Sequence, residues 1–293
     1  MTATSFAARL DLRLREVGSP LCVGIDPRLA DLPREFRGMS DTALAFRDFG
    51  RALVDLTAEH AAAFKLQAAF FEVLGAPGVD AYEDVAAYAR ASGALVVADC
   101  KRGDIGSTAA AYARAAFALH RSPRPFDAIT VNPYFGDDGL RPFFETARDE
   151  GGGVFVLVKT SNPSSRDFQD LELAAGGPLY REVARRVAAW SEEFPGVVGA
   201  VVGATHGALA AELRAAMPRS PLLVPGVGAQ GATADDAAHA RDAAGGGTLV
   251  NLSRGIARPW TGSDAPENWR KHIADAARHW SRALGEAFGS TPR

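Results

Sequence analysis

The sequence has few of the features that mark secreted, membrane or nucleic-acid-binding proteins. It contains two cysteines among 293 residues, both in apolar runs, so neither a disulfide framework nor a zinc site is expected. No apolar run approaches the roughly 18 residues of a membrane span, and the N-terminus has no apolar signal core. The net charge is -3 and no basic block is present. These absences predict a cytoplasmic protein with no nucleic-acid or membrane partner.

Lysine is also scarce. Only four of the 32 basic residues are lysines, namely Lys65, Lys101, Lys159 and Lys271. Lysine can lose or deliver a proton, whereas arginine effectively cannot. A lysine in this chain therefore indicates a position where arginine would not serve. Three of the four fall at the ends of predicted strands, and those ends are the first place to look for chemistry.

The chain does have a regular alternation of strand and helix patterns. Short apolar runs typical of buried parallel strands alternate with helical patterns eight times, without a break in composition. An amphipathic helix containing Phe6, Leu10, Leu14 and Val17 precedes the first strand. We therefore predict an α/β fold in which residues 1–293 form a single (β/α)8 TIM-barrel domain with an extra N-terminal helix. The alternative is an open doubly wound sheet, but no Gly-x-Gly-x-x-Gly run follows the first strand.

The most informative stretch is the predicted third strand with its exit. Side chains of a strand alternate between its faces, so Asp99 and Lys101 point one way and Cys100 the other. Gly103 permits a sharp exit, and Asp104 follows on the turn. In parallel α/β proteins, active sites lie at the carboxyl ends of the strands. This group of two acids and an amine is therefore a candidate active site, with a strand-end salt bridge as the plainer alternative.

A barrel would bring further polar side chains to the same mouth. Residues near the ends of strands one, two, five, seven and eight are Asp26, Lys65, Ser161, Gln230 and Arg254. Each of these could be structural by itself, but their joint placement favours a functional site. The loop after strand five, residues 161–177, is longer than a routine connection and is a candidate lid.

The last two loops predict a phosphate site. Gly226, Gly228 and Gly231 allow backbone amides to approach a ligand closely. Arg254 supplies a forked donor that suits phosphate oxygens. Barrels often bind phosphate with the loops after strands seven and eight. Turn glycines and a surface arginine remain the structural alternative.

These motifs together resemble a known family. The stretch Asp99-Cys100-Lys101-Arg102-Gly103-Asp104 is similar to the Asp-x-Lys-x-x-Asp motif of the orotidine 5'-phosphate decarboxylase family. The segments that begin at Phe64, Thr160 and Pro225 resemble the longer bacterial branch of that family, called type 2. The resemblance extends from residue 24 to residue 254. The Asp-x-Lys-x-x-Asp element alone is shared with a sister group of sugar-phosphate enzymes, so the other segments make the match specific.

The resemblance implies a reaction of pyrimidine biosynthesis that removes CO2 from C6 of orotidine 5'-phosphate (OMP) and gives UMP. By this resemblance, Lys101 would protonate the C6 carbanion and Asp99 would lie against the departing carboxylate. Lys65 and Asp26 would bind ribose hydroxyls and complete the charged array. Opposite charges favour the charged form of a lysine, so we expect Lys101 to stay protonated in such an array. A vinyl carbanion is basic enough to take even a tightly held proton.

The resemblance also assigns the substrate contacts and a partner. Asp104 and Thr108 would reach the ribose in the neighbouring subunit's site, which implies a homodimer with shared active sites. Ser161 would contact the pyrimidine edge. Gln230 and Arg254 would hold the phosphate.

Two alternatives remain at the level of sequence. One is an Mg²⁺-dependent sugar-phosphate decarboxylase or aldolase of the same superfamily, which would need an extra carboxylate near the mouth. Glu72, five residues beyond strand two, is too distant for that role. The other is a catalytically silent phosphate-binding barrel, which has no use for the charge density at Asp99, Lys101 and Asp104. No metal or organic cofactor is expected, because the strand ends lack a metal-ligand set and Lys101 is poorly placed for a Schiff base.

Overall fold

A closed barrel of parallel strands forms the centre of the protein. The computed structural model describes residues 4–117, 126–203, 207–228, 231–242, 247–262 and 264–289. In this part of the chain each strand pairs with the next, and the eighth pairs with the first. The closure confirms the predicted (β/α)8 fold and excludes the open sheet. The strands are β1 (Leu21–Ile25), β2 (Ala63–Gln67), β3 (Leu95–Arg102), β4 (Ala128–Val131), β5 (Gly153–Lys159), β6 (Val198–Val202), β7 (Leu222–Pro225) and β8 (Thr248–Leu252).

Helices cover the outside of the barrel and bury its larger hydrophobic core against the strands. Within the described residues, three short 3-10 helices lie in the loops, at Leu29–Asp31, Pro133–Phe135 and Pro163–Ser165. The α-helices in the described ranges are α1 (Phe6–Val17), α2 (Arg34–Arg37), α3 (Thr42–Thr57), α4 (Ala68–Glu72), α5 (Ala76–Ala91), α6 (Gly106–Phe117), α7 (Gly136–Glu150), α8 (Arg166–Gln169), α9 (Leu179–Glu193), α10 (Gly207–Ala216), α11 (Ala234–Ala238), α12 (Arg254–Ala257) and α13 (Trp269–Ala287).

Some predicted boundaries were wrong for local reasons. The apolar pattern predicts a fourth strand over residues 127–134. The strand ends at Val131 instead, because the Asn132 side chain accepts a hydrogen bond from the Tyr134 amide and begins a 3-10 helix. The pattern predicts a seventh strand over residues 222–227, but the strand ends at Pro225 because Gly226 has a φ of 107°. Helix α4 was not predicted. The sequence also predicts that Thr205 caps the helix after the sixth strand, but this residue lies outside the described ones.

The predicted N-terminal helix is confirmed, and it closes the amino end of the barrel. The Ser5 side chain caps the N-terminus of α1. Gly18, which follows the last residue of the helix, adopts the left-handed conformation. Phe6 and Leu10 are fully buried among inward-facing strand residues, and the ring of Phe6 meets that of Phe155 edge-on at 5.6 Å. With the amino end filled by apolar side chains, the carboxyl end is left for polar chemistry.

A buried carboxylate ties α1 to the barrel. Asp127, fully buried just before β4, accepts hydrogen bonds from Arg9 at 2.5 Å, from Arg90 at 3.3 Å and from the Val96 amide at 3.0 Å. Arg9 also donates to the carbonyl of Gly151 at 2.8 Å. One side chain therefore links α1, α5, β3 and the start of β4.

We expect Asp127→Asn to lower the free energy of unfolding by about 2–4 kcal/mol, because the two arginines lose their charged acceptor. Denaturant unfolding followed by circular dichroism measures this loss. Asp84→Asn is a matched control, since Asp84 pairs with Arg51 near the surface and such pairs contribute under about 1 kcal/mol. Equal losses in the two variants would contradict the role given to Asp127.

Candidate active site

The carboxylate of Asp99 is the centre of the charged array at the carboxyl end of the barrel. It is only 7% exposed and accepts four hydrogen bonds. One oxygen, Oδ2, receives Lys65 Nζ at 2.6 Å and Gln67 Nε2 at 3.2 Å. The other, Oδ1, receives Lys101 Nζ at 2.6 Å and the Thr130 hydroxyl at 3.0 Å. Strand alternation therefore predicted correctly that Asp99 and Lys101 share a face.

The electrostatics of this array keep Asp99 and Lys65 charged. Burial acts to lower the pKa of Lys65, but the neighbouring carboxylates of Asp26 and Asp99 outweigh it and raise that pKa above the usual range. Burial likewise acts to raise the pKa of Asp99, but Lys65 and Lys101 hold it well below the usual carboxyl range. At neutral pH this buried pair is ionised.

Lys101 occupies an unusual backbone position. Among the described residues it is the only non-glycine with a φ in the left-handed region, at 47°. Two extra residues of β3 are inserted here, because Ala98 pairs with Ile129 and Arg102 with Val131. A left-handed conformation of a residue other than glycine is expected to cost about 1–3 kcal/mol. The site therefore contains backbone strain at the residue with the exposed amine.

A cavity of about 340 Å³ opens over the array. The Lys101 side chain, 45% exposed, is one of its walls. Polar groups from β2, β3, β4 and the loop after β5 face apolar side chains from β5, β6 and β7 across this space. Such a mixture of apolar and polar walls is typical of small-molecule sites. The lining residues are Lys65, Asp99, Lys101, Thr130, Leu157, Thr160, Ser161, Asn162, Val201, Leu223, Pro225 and Asn251.

The predicted residues Asp26 and Arg254 lie beside this cavity. Ser161, by contrast, is part of the cavity wall itself. Asp26 is 4.0 Å from Lys65 Nζ, which connects it to the array. Arg254, at the start of the four-residue α12, lines a small hollow together with Asp26. The mouth thus extends from the array towards the loops after β1 and β8.

Other predicted residues are not gathered into this cavity. Asp104 is half-buried on the exit from β3, where its side chain accepts a hydrogen bond from the Ile105 amide at 2.8 Å. Thr108 is exposed on α6. Neither lines the cavity of its own chain. Gln230 lies outside the described residues.

Three further polar residues of the site escaped prediction, and two of them, Thr130 and Asn251, line the cavity. Thr130 and Gln67 both contact Asp99, and Asn251 is nearly buried with its Oδ1 lacking a hydrogen-bond partner in the described structure. Thr130 is the single polar residue of β4, Gln67 is the last residue of β2, and Asn251 is the next-to-last residue of β8. A polar residue near the carboxyl end of a strand is the sequence signal that could have identified them.

The loop after β5, residues 160–177, is tied back to its own strand. Lys159 Nζ pairs with Asp170 and lies 5.3 Å from the centre of the Tyr180 ring. The side chain of Gln169 accepts from the Thr160 amide at 2.9 Å and donates to the Thr160 hydroxyl at 2.8 Å. Lys159 therefore anchors the loop at the rim. Movement of this loop as a lid stays a prediction.

The outer face of β3 carries no part of the array. Cys100 lines a separate cavity of about 230 Å³, into which the ion pair of Arg102 and Glu72 also extends. Burial raises the pKa of the Cys100 thiol to about 11, so the thiol is protonated at neutral pH. Glu72 is therefore directed to the outside of the barrel. Within the described ranges, no group of three or more His, Cys, Asp or Glu side chains could hold a metal ion.

Comparisons with known proteins agree over nearly the whole chain. A family model described as Orotidine 5'-phosphate decarboxylase / HUMPS family matches residues 19–262. An orotidine 5'-phosphate decarboxylase from Rhodopirellula baltica is 44% identical over 266 residues, which are 86% of this chain and 88% of that protein. An orotidine 5'-phosphate decarboxylase from Halorubrum lacusprofundi is 43% identical over 290 residues, and the match covers 96% of this chain and 99% of that protein.

The solved structures extend this agreement to the fold. The structure of Leishmania donovani OMP decarboxylase is similar with a TM-score of 0.78 at 35% identity, and the match covers 98% of this chain and 100% of that chain. Membership of the longer bacterial branch stays a prediction. The match in sequence and in fold extends across the barrel and its charged mouth, and the chain belongs to the orotidine 5'-phosphate decarboxylase family.

Proposed function

We propose that Lys65, Asp99 and Lys101 carry out the decarboxylation, with Lys101 as the proton donor to C6 of the pyrimidine. The protein is an orotidine 5'-phosphate decarboxylase, a lyase that converts OMP to UMP and CO2. One observation carries the residue assignment: each oxygen of the buried Asp99 holds one lysine ammonium at 2.6 Å, at the wall of a cavity of suitable size. Turnover of OMP by the wild-type protein, and its loss on replacement of Lys101, test this assignment.

The chemical steps need only a proton from the protein. The bond between C6 and the carboxylate breaks, its electron pair stays on C6, and CO2 leaves as a neutral molecule. The Lys101 ammonium then donates a proton to C6, which yields UMP and a neutral amine that water reprotonates. Because a vinyl carbanion is very basic, this transfer is downhill even from an ammonium paired with a carboxylate.

Asp99 acts on the substrate through its charge. Its pKa lies below the usual carboxyl range, so Asp99 is ionised at neutral pH and repels the substrate carboxylate. The repulsion ends when CO2 departs, so the charge penalises the bound substrate more than the transition state. The four donors around Asp99 hold it in place throughout.

The remaining contacts bind parts of the substrate that do not react. Ser161, on the cavity wall, contacts the pyrimidine edge. Asp26 and Lys65 bind the ribose hydroxyls, and their separation of 4.0 Å allows one hydroxyl to touch both. Gln230 and Arg254 hold the phosphate at the loops after β7 and β8. Binding energy from these remote groups is available to close the site around the reacting ring.

We expect Arg254→Ala to weaken catalysis on OMP by about 1.5–3 kcal/mol in kcat/KM, because a charge-assisted contact to the phosphate is lost. The same variant should act almost normally on orotidine, which lacks the phosphate. Steady-state kinetics on both substrates give the comparison. Arg282→Ala, at an exposed arginine of α13 paired with Glu286, is the control and should change neither. If Arg254→Ala lowered kcat/KM equally for OMP and for orotidine, Arg254 would not hold the phosphate.

We also propose a homodimer in which Asp104 and Thr108 complete the partner's site. Both residues lie away from their own cavity. Large apolar side chains are exposed next to the exit from β3, since Ile105, Tyr134 and Phe135 are 56%, 87% and 46% exposed. Gly103 packs closely against the Phe135 ring, which places this surface beside the exit from β3. Exposed apolar clusters of this kind favour a protein interface.

The remaining assignments concern the setting of the enzyme. We propose that residues 1–293 form one domain that works in the cytoplasm without a nucleic-acid partner. In support, the family match spans all eight strands, and Cys22 and Cys100 are free thiols. The net charge of -3 also disfavours binding to nucleic acid. No helix in the described ranges is long and apolar enough to cross a membrane.

A further inference from the structure

Thr130 is the residue of β4 that faces the irregular part of β3. It is fully buried, and its neighbours Ile129 and Val131 pair with Ala98 and Arg102. Three residues of β3, from Asp99 to Lys101, therefore lie opposite Thr130 alone. Regular pairing resumes beyond them, where the Asn132 amide donates to the Arg102 carbonyl at 2.8 Å.

The hydroxyl of Thr130 contacts both catalytic residues of β3. The Lys101 amide donates to it at 3.0 Å, and the hydroxyl lies 3.0 Å from Asp99 Oδ1. The directions of these bonds are fixed by chemistry. A backbone amide can only donate, and an ionised carboxylate can only accept. The single hydroxyl proton must therefore point to Asp99, while an oxygen lone pair receives the Lys101 amide.

This arrangement gives the left-handed backbone of Lys101 a specific support. The inserted residues remove the Lys101 amide from the ladder between β3 and β4, so its hydrogen bond goes to a side chain instead. Without the hydroxyl, the amide would be left without its partner beside an apolar core. The φ of 47° would then lose an interaction that favours it over an extended conformation.

We propose that Thr130 is a positioning residue that sets the proton donor, by holding the Lys101 backbone and the Asp99 carboxylate in one fixed relation. The inference rests on the proposed function of the Lys101–Asp99 pair. Because the hydroxyl proton is committed to Asp99, Thr130 acts through the array and not as a ligand of the substrate. Loss of the Thr130 hydroxyl should therefore lower kcat and leave substrate binding largely intact.

Thr130→Val keeps the shape of the side chain and removes the hydroxyl. We expect kcat for OMP to fall about 10- to 100-fold, with KM and the Kd of UMP changed by less than about threefold. Thr130→Ser, which keeps the hydroxyl, should recover kcat to within about fivefold of wild type. Thr57→Val is the matched control, since the buried Thr57 hydroxyl donates to the Leu53 carbonyl within α3. The Thr57→Val variant should have a lower free energy of unfolding than the wild type but the same kcat.

The second readout is structural and does not depend on activity. In a crystal structure of Thr130→Val, the φ of Lys101 should leave the left-handed region and the Lys101 ammonium should move from Asp99 Oδ1. Thr130→Ala removes the same hydroxyl and gives the same expectations should Thr130→Val not fold. In Thr130→Ser the left-handed φ should persist.

Several results would overturn the inference. They are a wild-type kcat in Thr130→Val, a Thr130→Ser variant as impaired as Thr130→Val, or a KM that rises as much as kcat falls. Wild-type protein assayed beside the variants separates this inference from the proposed function. If wild-type protein does not convert OMP, the proposed function fails, and the positioning role is then decided by the Lys101 φ in the Thr130→Val crystal. An unchanged left-handed φ there would contradict it.

Discussion

Replacing Lys101 with Ala is expected to lower kcat by at least about 10⁴-fold, because the variant loses both the proton donor and one cation of the array. The Lys101→Ala variant should still bind UMP, since the proposed contacts of Ser161 and Arg254 to the nucleotide are unaffected. Single-turnover kinetics with OMP and a UMP titration measure the two effects. Far-UV circular dichroism checks that the variant is folded.

The chain offers a matched control for this substitution. Lys271 is an exposed lysine of α13 that pairs with Asp275 at 2.5 Å, far in sequence from the array. Lys271→Ala should therefore retain the kcat and KM of the wild type. If Lys101→Ala retained more than about a hundredth of the wild-type kcat, another group would be the proton donor.

Mixing two inactive variants should restore activity if the sites are shared between subunits. Lys101→Ala and Asp104→Ala should each be nearly inactive alone. In their heterodimer, one site receives both lesions and the other receives neither, because a two-fold axis makes the exchange reciprocal. Half of the dimers are heterodimers after equal random mixing, and one of their two sites works. Roughly a quarter of wild-type activity is therefore the expected ceiling.

A second mixture controls for this effect. Lys101→Ala mixed with Asp99→Ala places one lesion in each site, because both residues belong to the same subunit's array. No activity should return in that mixture. Mass-tagged subunits establish that exchange has taken place. If exchange occurs and the first mixture stays as inactive as its components, Asp104 acts within its own subunit and the shared-site proposal is wrong.

The sequence predicted the parts of the site that depend on one strand at a time. Alternation along β3 placed Asp99 and Lys101 on one face, and the strand count placed Lys65 at the same mouth. These features follow from the period of a strand and from the closure of the barrel. They need no knowledge of how neighbouring strands are aligned.

The contacts between strands were not predictable in the same way. Thr130 meets Asp99 because β3 contains two residues more than β4 at that point, and no composition or period signals an insertion of this kind. Gln67 reaches Asp99 because their positions pair across β2 and β3. The left-handed φ of Lys101 belongs to the same irregularity, since lysine by itself gives no reason to expect it.

The role of Lys159 illustrates a further limit. Its place at the end of β5 was evident, but alternation left open whether its side chain entered the barrel, the rim or the helix layer. Its partner Asp170 lies 11 residues later, in a loop whose path is set by contacts such as that of Gln169 with Thr160. Loop geometry of this kind depends on tertiary contacts that short-range patterns do not encode.

The central claim is that a fixed array of charges decarboxylates OMP without a metal ion. Its most direct test is the loss of OMP absorbance after substrate is added to purified protein that has been dialysed against EDTA. We expect the dialysed protein to convert OMP to UMP and CO2 in equal amounts at the rate of undialysed protein, with no gain from added Mg²⁺. Activity that dialysis abolishes and Mg²⁺ restores would contradict the claim and favour the metal-dependent chemistry of the sugar-phosphate enzymes.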